Sequence, residues 1–517
     1  MTVIARARKP VAVLAAVLAG AVLMLAWISS APPASNPDGV FHLVSIWCAE
    51  GTNETDCVAV PDDPELVLVP RAVQQAACFA YNPLVTGSCA QQHYDAPLGV
   101  LAPISSGNLS GARPELYYRT MHRLKDDDVL RSVTRMRVAN ATAGVVLLLL
   151  TSVLATPMVR HGLHAAWLLT SVPLGVWLLS TTNTGAWMIA GVGTAWANLL
   201  TATDPAAGRG RRLGAGALAL VGAVMGLGAR TEAAVPVAVA IAAVAILRIR
   251  RSPDRREEQD RQRDVGRIAL FVLAILMVVA IAMLLPRTAQ IGQPVAELRM
   301  GLETLRSRGA GNPLLHLLLT MPSLLLGALG IGWGLGWIDV LVPVPVGAIT
   351  FGAWCAVLIA GLRGVPARRA TAVTLLGLVA VLFPTFTLAY YGLYVGEQFQ
   401  PRHYVILLHM VMGFALLREP GRRPLLTGRQ PIALILALTA AHSHLLHQNT
   451  RRYVTGLRSE IYFDLGRDAG WWWTNWPIGP TANWLMGSAA FAVVAWALSR
   501  ALVDAAAPLE RTGTSVR

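Results

Sequence analysis

Asn312-Pro313-Leu314-Leu315-His316-Leu317-Leu318-Leu319-Thr320-Met321-Pro322-Ser323-Leu324-Leu325-Leu326-Gly327-Ala328-Leu329-Gly330-Ile331-Gly332-Trp333-Gly334-Leu335-Gly336 decides how often this chain crosses a bilayer. About 20 mostly apolar residues span the hydrocarbon core, so 314–335 is long enough. Its composition argues against a straight helix, because Pro322 sits inside it and five glycines crowd its second half. Arginine placement settles the reading, since short cytoplasmic loops carry the excess of basic residues. With the N-terminus inside, Arg160, Arg209, Arg211, Arg212 and the cluster Arg248 to Arg267 all lie inside. Counting 314–335 as a span would move Arg363, Arg368, Arg369, Arg418, Arg422 and Arg423 outside. Read as a re-entrant or interfacial segment, it returns every one of them to the cytoplasm.

The sequence therefore predicts an all-α polytopic integral membrane protein with about 12 transmembrane helices and both termini cytoplasmic. The expected spans lie near 10–27, 141–158, 163–180, 186–202, 213–229, 233–248, 268–285, 342–362, 370–391, 404–417, 431–446 and 485–502. Ala31-Pro32-Pro33-Ala34-Ser35 after the first run also fits a signal-peptide end, but a cleaved start would orphan the paired loops. Composition agrees with the membrane reading. The 517 residues are 54% hydrophobic and 14% charged, with a mean hydropathy of +0.51. A soluble domain carries about 25% charged residues, so an ordinary soluble enzyme and a disordered scaffold are both excluded. The net charge of +14 sits mostly in loops assigned to the cytoplasm, where it meets anionic headgroups. The stretch 248–267 mixes eight arginines with five acidic residues and reads as a solvated linker, so no nucleic-acid partner is expected. No phosphate-cradling glycine loop, zinc-ligand spacing or internal repeat is evident, which argues against an ATP-driven pump.

These spans divide the chain. Residues 1–30 hold the first helix and 31–140 a long extracytoplasmic loop subdomain. Helices 2–7 occupy 141–285, and 286–340 is an outer loop with the re-entrant segment. Helices 8–11 occupy 341–446, a Trp-rich outer loop runs over 447–484, and 485–517 holds the last helix and a cytoplasmic tail. Cys48, Cys57, Cys78 and Cys89 all fall in the first outer loop, where the oxidising side favours two disulfides. Cys48–Cys57 with Cys78–Cys89 is the simplest of three possible pairings.

Polar, reactive residues gather on the outer side. In Asn36-Pro37-Asp38-Gly39-Val40-Phe41-His42, Pro37 can start a helix that puts Asp38 and His42 on one face. Such a carboxylate can act as a general base or bind a divalent ion such as Mg or Mn, or it can simply cap the helix. In Gln400-Pro401-Arg402-His403-Tyr404, Arg402 enters a membrane helix from outside, where topology needs no arginine. A guanidinium holds phosphate with a rigid fork, so Arg402 suits a lipid phosphate; snorkelling is the plainer alternative. Arg230 and Glu232 share a tight outer turn, and ionisable groups at that depth tend to be paired. Asp339 follows Trp337 at the same face. Asp126-Asp127-Asp128 reads as the acidic start of a helix, and Trp471 to Trp476 as an interface belt or a sugar-stacking surface. His442, His444 and His447 at one helix end are poorly aligned for a shared metal.

Taken together, Pro37-Asp38 with His42, Pro114-Glu115-Leu116-Tyr117-Tyr118, Gly336-Trp337-Ile338-Asp339 and Gln400-Pro401-Arg402-His403-Tyr404 resemble the bacterial membrane-protein family called domain of unknown function 2142. Its pattern is similar to the multispanning lipid-sugar glycosyltransferases of GT-C type. The resemblance implies a GT-C-like fold and glycosyl transfer at the outer face of the inner (plasma) membrane. The donor would be a polyprenyl-phosphate sugar and the acceptor a cell-envelope glycan. Asp38 takes the position of the key acidic residue in the first outer loop, with His42 beside it. Arg230, Glu232, Asp339, Gln400, Arg402, His403 and Tyr404 would bind substrate. Two departures stand out: Gly39 follows Asp38 where an acidic residue is common, and Pro401 and His403 flank Arg402 where Gly-Arg-Tyr is usual. Three other functions compete. A transporter or flippase of lipid-linked sugars needs ionisable groups at mid-membrane depth and related repeats. A lipid-linked glycan polymerase or ligase would share the outer arginines, and a non-catalytic envelope assembly protein would use the outer subdomain as a binding surface.

Overall fold

The structure is a computed structural model that describes residues 2–94, 99–248, 293–397, 399–418, 423–457, 460, 462–474 and 476–503. It opens on α1 (Thr2–Ser29), turns through residues 30–38, and enters a small subdomain with α2 (Gly39–Trp47). There β1 (Val58–Val60), β2 (Asp63–Pro70), the short α3 (Arg71–Gln74), α4 (Ser88–Tyr94), β3 (Leu101–Ile104) and α5 (Leu116–His122) follow. The three strands form an antiparallel sheet with β2 in the middle, pairing Val58 with Leu68 and Val67 with Ile104. Pro103 lies on the edge strand β3, where a missing N–H disturbs the ladder least. Disulfides join Cys48 to Cys57 and Cys78 to Cys89, and Cys355 is free. The subdomain has its own core, built on Leu43, Trp47, Val69, Val73, Tyr117 and Met136.

The chain then returns through α6 (Val129–Leu154), α7 (Pro157–Thr170), α8 (Val176–Leu179), α9 (Thr184–Ala202), α10 (Arg209–Ala229) and α11 (Ala234–Arg248). Asp128 caps α6 by accepting from the Arg131 backbone N–H at 2.8 Å, and Asp126 pairs with Arg135 at 2.6 Å. The acidic triplet is thus a helix start. That start lies before the apolar run at 141, because residues 129–140 pack against the subdomain. Between α7 and α8 the backbone leaves helical geometry at Val172, next to Pro173, so one expected span is a kinked pair.

The later elements are α12 (Gln293–Ser307), α13 (Pro313–Thr320), α14 (Pro322–Ala328), the two-residue strands β4 (Gly334–Leu335) and β5 (Val340–Leu341), α15 (Val344–Leu362), α16 (Ala367–Tyr391), α17 (Pro401–Ala415), α18 (Gln430–Val454) and α19 (Pro480–Val503). The 312–336 stretch is therefore broken: two short helices meet at Pro322, and the glycine-rich end turns into the β4–β5 hairpin. Asn312 caps the first of them through the Leu315 N–H.

Eight helices among the described residues are long and apolar enough to cross a membrane, and all eight coincide with expected spans. Three further expected spans are α9, α17 and α18. The run over α17 is too short, at 15 residues, and α9 and α18 carry too many polar side chains to qualify on composition. The remaining one, 268–285, lies outside the described residues. Of the 12 expected spans, eight are therefore matched by membrane-length apolar helices among the described residues. The kinked α7–α8 segment is 94% buried and sits centrally, whereas α10 is 22% buried and peripheral. Around the centre, α17 packs on α7, α9 on α6 and α10, and α19 on α1 and α18. The α9–α10 crossing brings backbones into contact: a Cβ on Gly191 would lie 2.4 Å from the Gly222 carbonyl oxygen. Membrane helices approach this closely only through small residues.

Candidate functional site

The site grows from the turn over residues 30–38. Ala34 and Asp38 both adopt left-handed backbone, at φ 54° and 57°. Alanine and aspartate rarely enter that region without support. Support comes from helices far away in sequence. The buried Arg137 of α6 donates to the carbonyls of Ile28, Ala31 and Pro32 and to Ser35 Oγ, at 2.6–3.2 Å. Tyr453 Oη donates to the Ser35 carbonyl at 3.1 Å, Trp337 Nε1 to that of Ala34 at 2.9 Å, and Asn449 Nδ2 to Ser30 Oγ at 2.8 Å. The turn is tight enough that a Cβ on Gly39 would lie 2.5 Å from the Ala34 carbonyl oxygen. That contact explains the glycine where an acidic residue was noted as common.

Pro37 does not start the helix. α2 begins at Gly39, and Asp38 precedes it without capping it through its side chain. Its carboxylate instead faces across the molecule, where Arg402 Nη2 donates to Asp38 Oδ2 at 2.7 Å. The pair is asymmetric: the arginine side chain is 6% exposed and the aspartate 51%. Gln400 Oε1 accepts from the other Arg402 nitrogen, fixing the fork. His42 lies one turn on, its Nδ1 3.1 Å from the Tyr118 hydroxyl. Burial, reinforced by the charges of Arg113, Arg230 and Arg402, holds the His42 imidazole well below its ordinary pKa, so it is neutral at physiological pH. Burial likewise pushes the Tyr118 hydroxyl up to about 12. The Pro114 to Tyr118 segment thus supports the site: Arg113 stacks over Phe41 at 4.6 Å, and Asn140 donates to the Tyr117 hydroxyl at 3.1 Å.

Arg402 separates two small clefts. One, the larger, is lined by Pro37, Gln400 and Arg402 together with apolar Leu174, Trp177, Trp333 and Val342. The other is lined by Arg230, Arg402 and His403 together with apolar Leu178, Met188, Ile189 and Ile406. Arg402 Nε and His403 Nε2 are buried there without hydrogen-bond partners. Arg230 is buried and pairs with Glu232 at 3.5 Å, while Glu232 keeps a third of its side chain exposed. The charges of Arg113, Arg230 and Arg402 all reach His42, and of the three Arg402 alone contacts the Asp38 carboxylate. Among the described residues no three His, Cys, Asp or Glu side chains converge, and Asp38 is already engaged by an arginine. This donor set does not fit a divalent cation.

Asp38, His42, Arg230, Glu232, Gln400, Arg402 and His403 therefore come together. Tyr404 is buried in the apolar core beside them. Asp339 is different. Its carboxylate, 4% exposed, accepts from Arg452 at 2.7 Å, and Arg452 also donates to the carbonyls of Phe79, Asn82 and Val85. Here a fully buried ion pair holds loops together. The tryptophan run is structural too: Trp472 and Trp473 donate to the Ile478 and Ser29 carbonyls, and Trp471 is buried. Asn475 lies outside the described residues. His442 accepts from Trp27 inside the helix bundle, while His444 Nε2 lies 3.3 Å from the Tyr462 hydroxyl. Arg113, Arg137 and Arg452 escaped the sequence reading as site residues, whereas Tyr118 entered it within the Pro114–Tyr118 motif. Arg137 alone carried a signal, because Arg131 and Arg135 are four apart while Arg137 falls on another helix face.

The comparisons bear on the whole of this framework. Residues 21–411 match the family described as "Predicted membrane protein (DUF2142)". The chain is a DUF2142 membrane protein. The match takes in the end of α1 from Ala21, the subdomain between α1 and α6, the kinked α7–α8 segment and most of α17, and so includes both Asp38 and Arg402. No curated protein and no solved structure matches this DUF2142 chain.

Proposed function

We propose that this DUF2142 protein is a GT-C-like membrane glycosyltransferase. It moves a sugar from a polyprenyl-phosphate donor to a cell-envelope glycan or similar acceptor at the extracytoplasmic face of the inner membrane. The observation that carries the reading is the half-exposed Asp38 paired with a buried Arg402, next to a neutral histidine that the charges of Arg113 and Arg230 also reach. Arginine at headgroup depth suits the phosphodiester of a lipid-linked sugar, and the apolar walls of the larger cleft suit its first isoprene units.

The chemistry follows from the asymmetry of the ion pair. In the free protein Arg402 occupies one carboxylate oxygen of Asp38. An arriving phosphate competes for the same guanidinium fork, and Arg402 turning towards it frees the carboxylate. Asp38 then takes the proton of the acceptor hydroxyl as that oxygen bonds to the anomeric carbon. The bond from that carbon to the phosphate oxygen breaks, its electron pair stays on the phosphate, and polyprenyl phosphate leaves. Arg402 and Arg230 stabilise the added negative charge. Neutral His42, held by Tyr118, orients the acceptor hydroxyl without adding charge. The test is reconstitution of the full chain in liposomes with a radiolabelled polyprenyl-phosphate hexose and envelope glycan. Labelled glycan and stoichiometric polyprenyl phosphate are expected. Intact labelled lipid moved between leaflets, with no glycan product, would replace this reading by a flippase.

A further inference from the structure

Tyr81 is a large aromatic side chain that the fold holds in the wrong place for packing. It is 73% exposed, and its backbone is left-handed at φ 61°, a conformation that aromatic residues avoid. Neither property serves stability, since the ring gains little burial and a glycine would relax the backbone. Yet the residue is firmly placed. Arg452 clasps the Phe79, Asn82 and Val85 carbonyls on either side of it, and the same guanidinium grips Asp339. Asp339 ends the Gly336-Trp337-Ile338-Asp339 turn, whose Trp337 ring meets Tyr81 edge-on at a centroid distance of 5.3 Å. Trp337 in turn donates to the Ala34 carbonyl, four residues before Asp38. One buried arginine therefore fixes an exposed aromatic wedge against the turn that carries Asp38. The charges of Asp38, Arg402 and Asp339 all reach the Tyr81 hydroxyl.

We propose that Tyr81 and Trp337 form a saccharide platform, on which a pyranose ring stacks beside Asp38. This rests on the glycosyl-transfer reading and names where that reaction's sugar sits. Apolar C–H faces of a pyranose suit an aromatic ring, while its hydroxyls suit the half-exposed carboxylate next to it. The ring belongs either to the donor sugar or to the acceptor glycan.

Saturation-transfer NMR on the full chain in nanodiscs tests the platform without any turnover. The probes are the methyl pyranosides of glucose, mannose, galactose and N-acetylglucosamine. Ring C–H signals from at least one probe are expected in wild type and in Tyr81→Phe. They should fall at least several-fold in Tyr81→Ala and Tyr81→Gly, although Tyr81→Gly should melt no lower than wild type. Loading the nanodisc with a polyprenyl-phosphate hexose assigns the source: displacement of the free glycoside places the donor sugar on the platform, and persistence places the acceptor there. Signals unchanged in Tyr81→Ala, or absent for every probe in wild type, overturn the proposal. Stacking that survives in a protein without transfer activity would overturn the enzymatic reading alone.

Discussion

Replacing Arg452 by methionine isolates the contact on which the outer architecture turns. The side chain is fully buried and meets four acceptors: Asp339 Oδ2 at 2.7 Å and three carbonyls at 2.6–2.9 Å. Methionine keeps much of the volume and removes every donor. Phe79, Asn82 and Val85 sit in a loop that can turn its carbonyls to water, so the stranded Asp339 carboxylate sets the floor of the cost. Removing one partner of a buried pair costs about 3–5 kcal/mol. At 1.4 kcal/mol per tenfold, that lowers the folded-to-unfolded ratio by about two to three and a half orders of magnitude. Unfolding by SDS titration of purified protein in mixed micelles reads this directly. The double variant Arg452→Met/Asp339→Leu supplies the control. With both charges gone it should be more stable than Arg452→Met alone, because no buried charge is left unpaired. A single variant within about 1 kcal/mol of wild type, the level of an exposed ion pair, would refute the reasoning.

Three further expectations follow from the same geometry. Arg402→Lys keeps the charge but loses the fork, and transfer should fall by about 10²–10³ with unchanged abundance in a membrane assay, the range for losing one charge-stabilising donor. Gly39→Asp, which restores the acidic residue noted as common, should reduce folded yield by size-exclusion chromatography, since its Cβ meets the Ala34 carbonyl at 2.5 Å. His42 has a folded pKa below its ordinary 6.5, so the unfolded chain takes up a proton that the folded chain refuses. Stability is therefore full above pH 6.5 and lost as pH falls below it, and the difference between wild type and His42→Gln in SDS titrations at pH 7 and 5.5 should show that slope.

Much of the helical framework was legible because lipid-facing helices must be continuously apolar. The runs over α10, α15 and α16 mark themselves. Boundaries set by partners were not legible. α18 runs on to Val454, past the apolar end at 446, because Asn449, Arg452 and Tyr453 find acceptors on other segments. The break at Pro322 was readable from local chemistry, as was the acidic start of α6. For the site, Asp38, His42 and Arg402 were each visible as outward polar residues near a helix entry. Their pairing was not, since Asp38 and Arg402 are 364 positions apart. Arg452 was hidden for a different reason: its partners are mostly backbone carbonyls, which leave no trace in side-chain identity. Asp339 looked like a free outer carboxylate until its buried arginine was in view. Tyr81 had no sequence signal, because its meaning lies in exposure and backbone angle together.

The most direct test is the rate of sugar transfer by Asp38→Asn in liposomes supplied with polyprenyl-phosphate hexose and envelope glycan, at protein levels matched to wild type. The isosteric amide keeps a hydrogen bond to Arg402 and cannot take the acceptor proton. The account expects transfer to fall by at least about 10², the lower range for losing a general base, while polyprenyl-phosphate binding persists. Transfer at the wild-type rate would remove Asp38 from the chemistry and contradict the central claim.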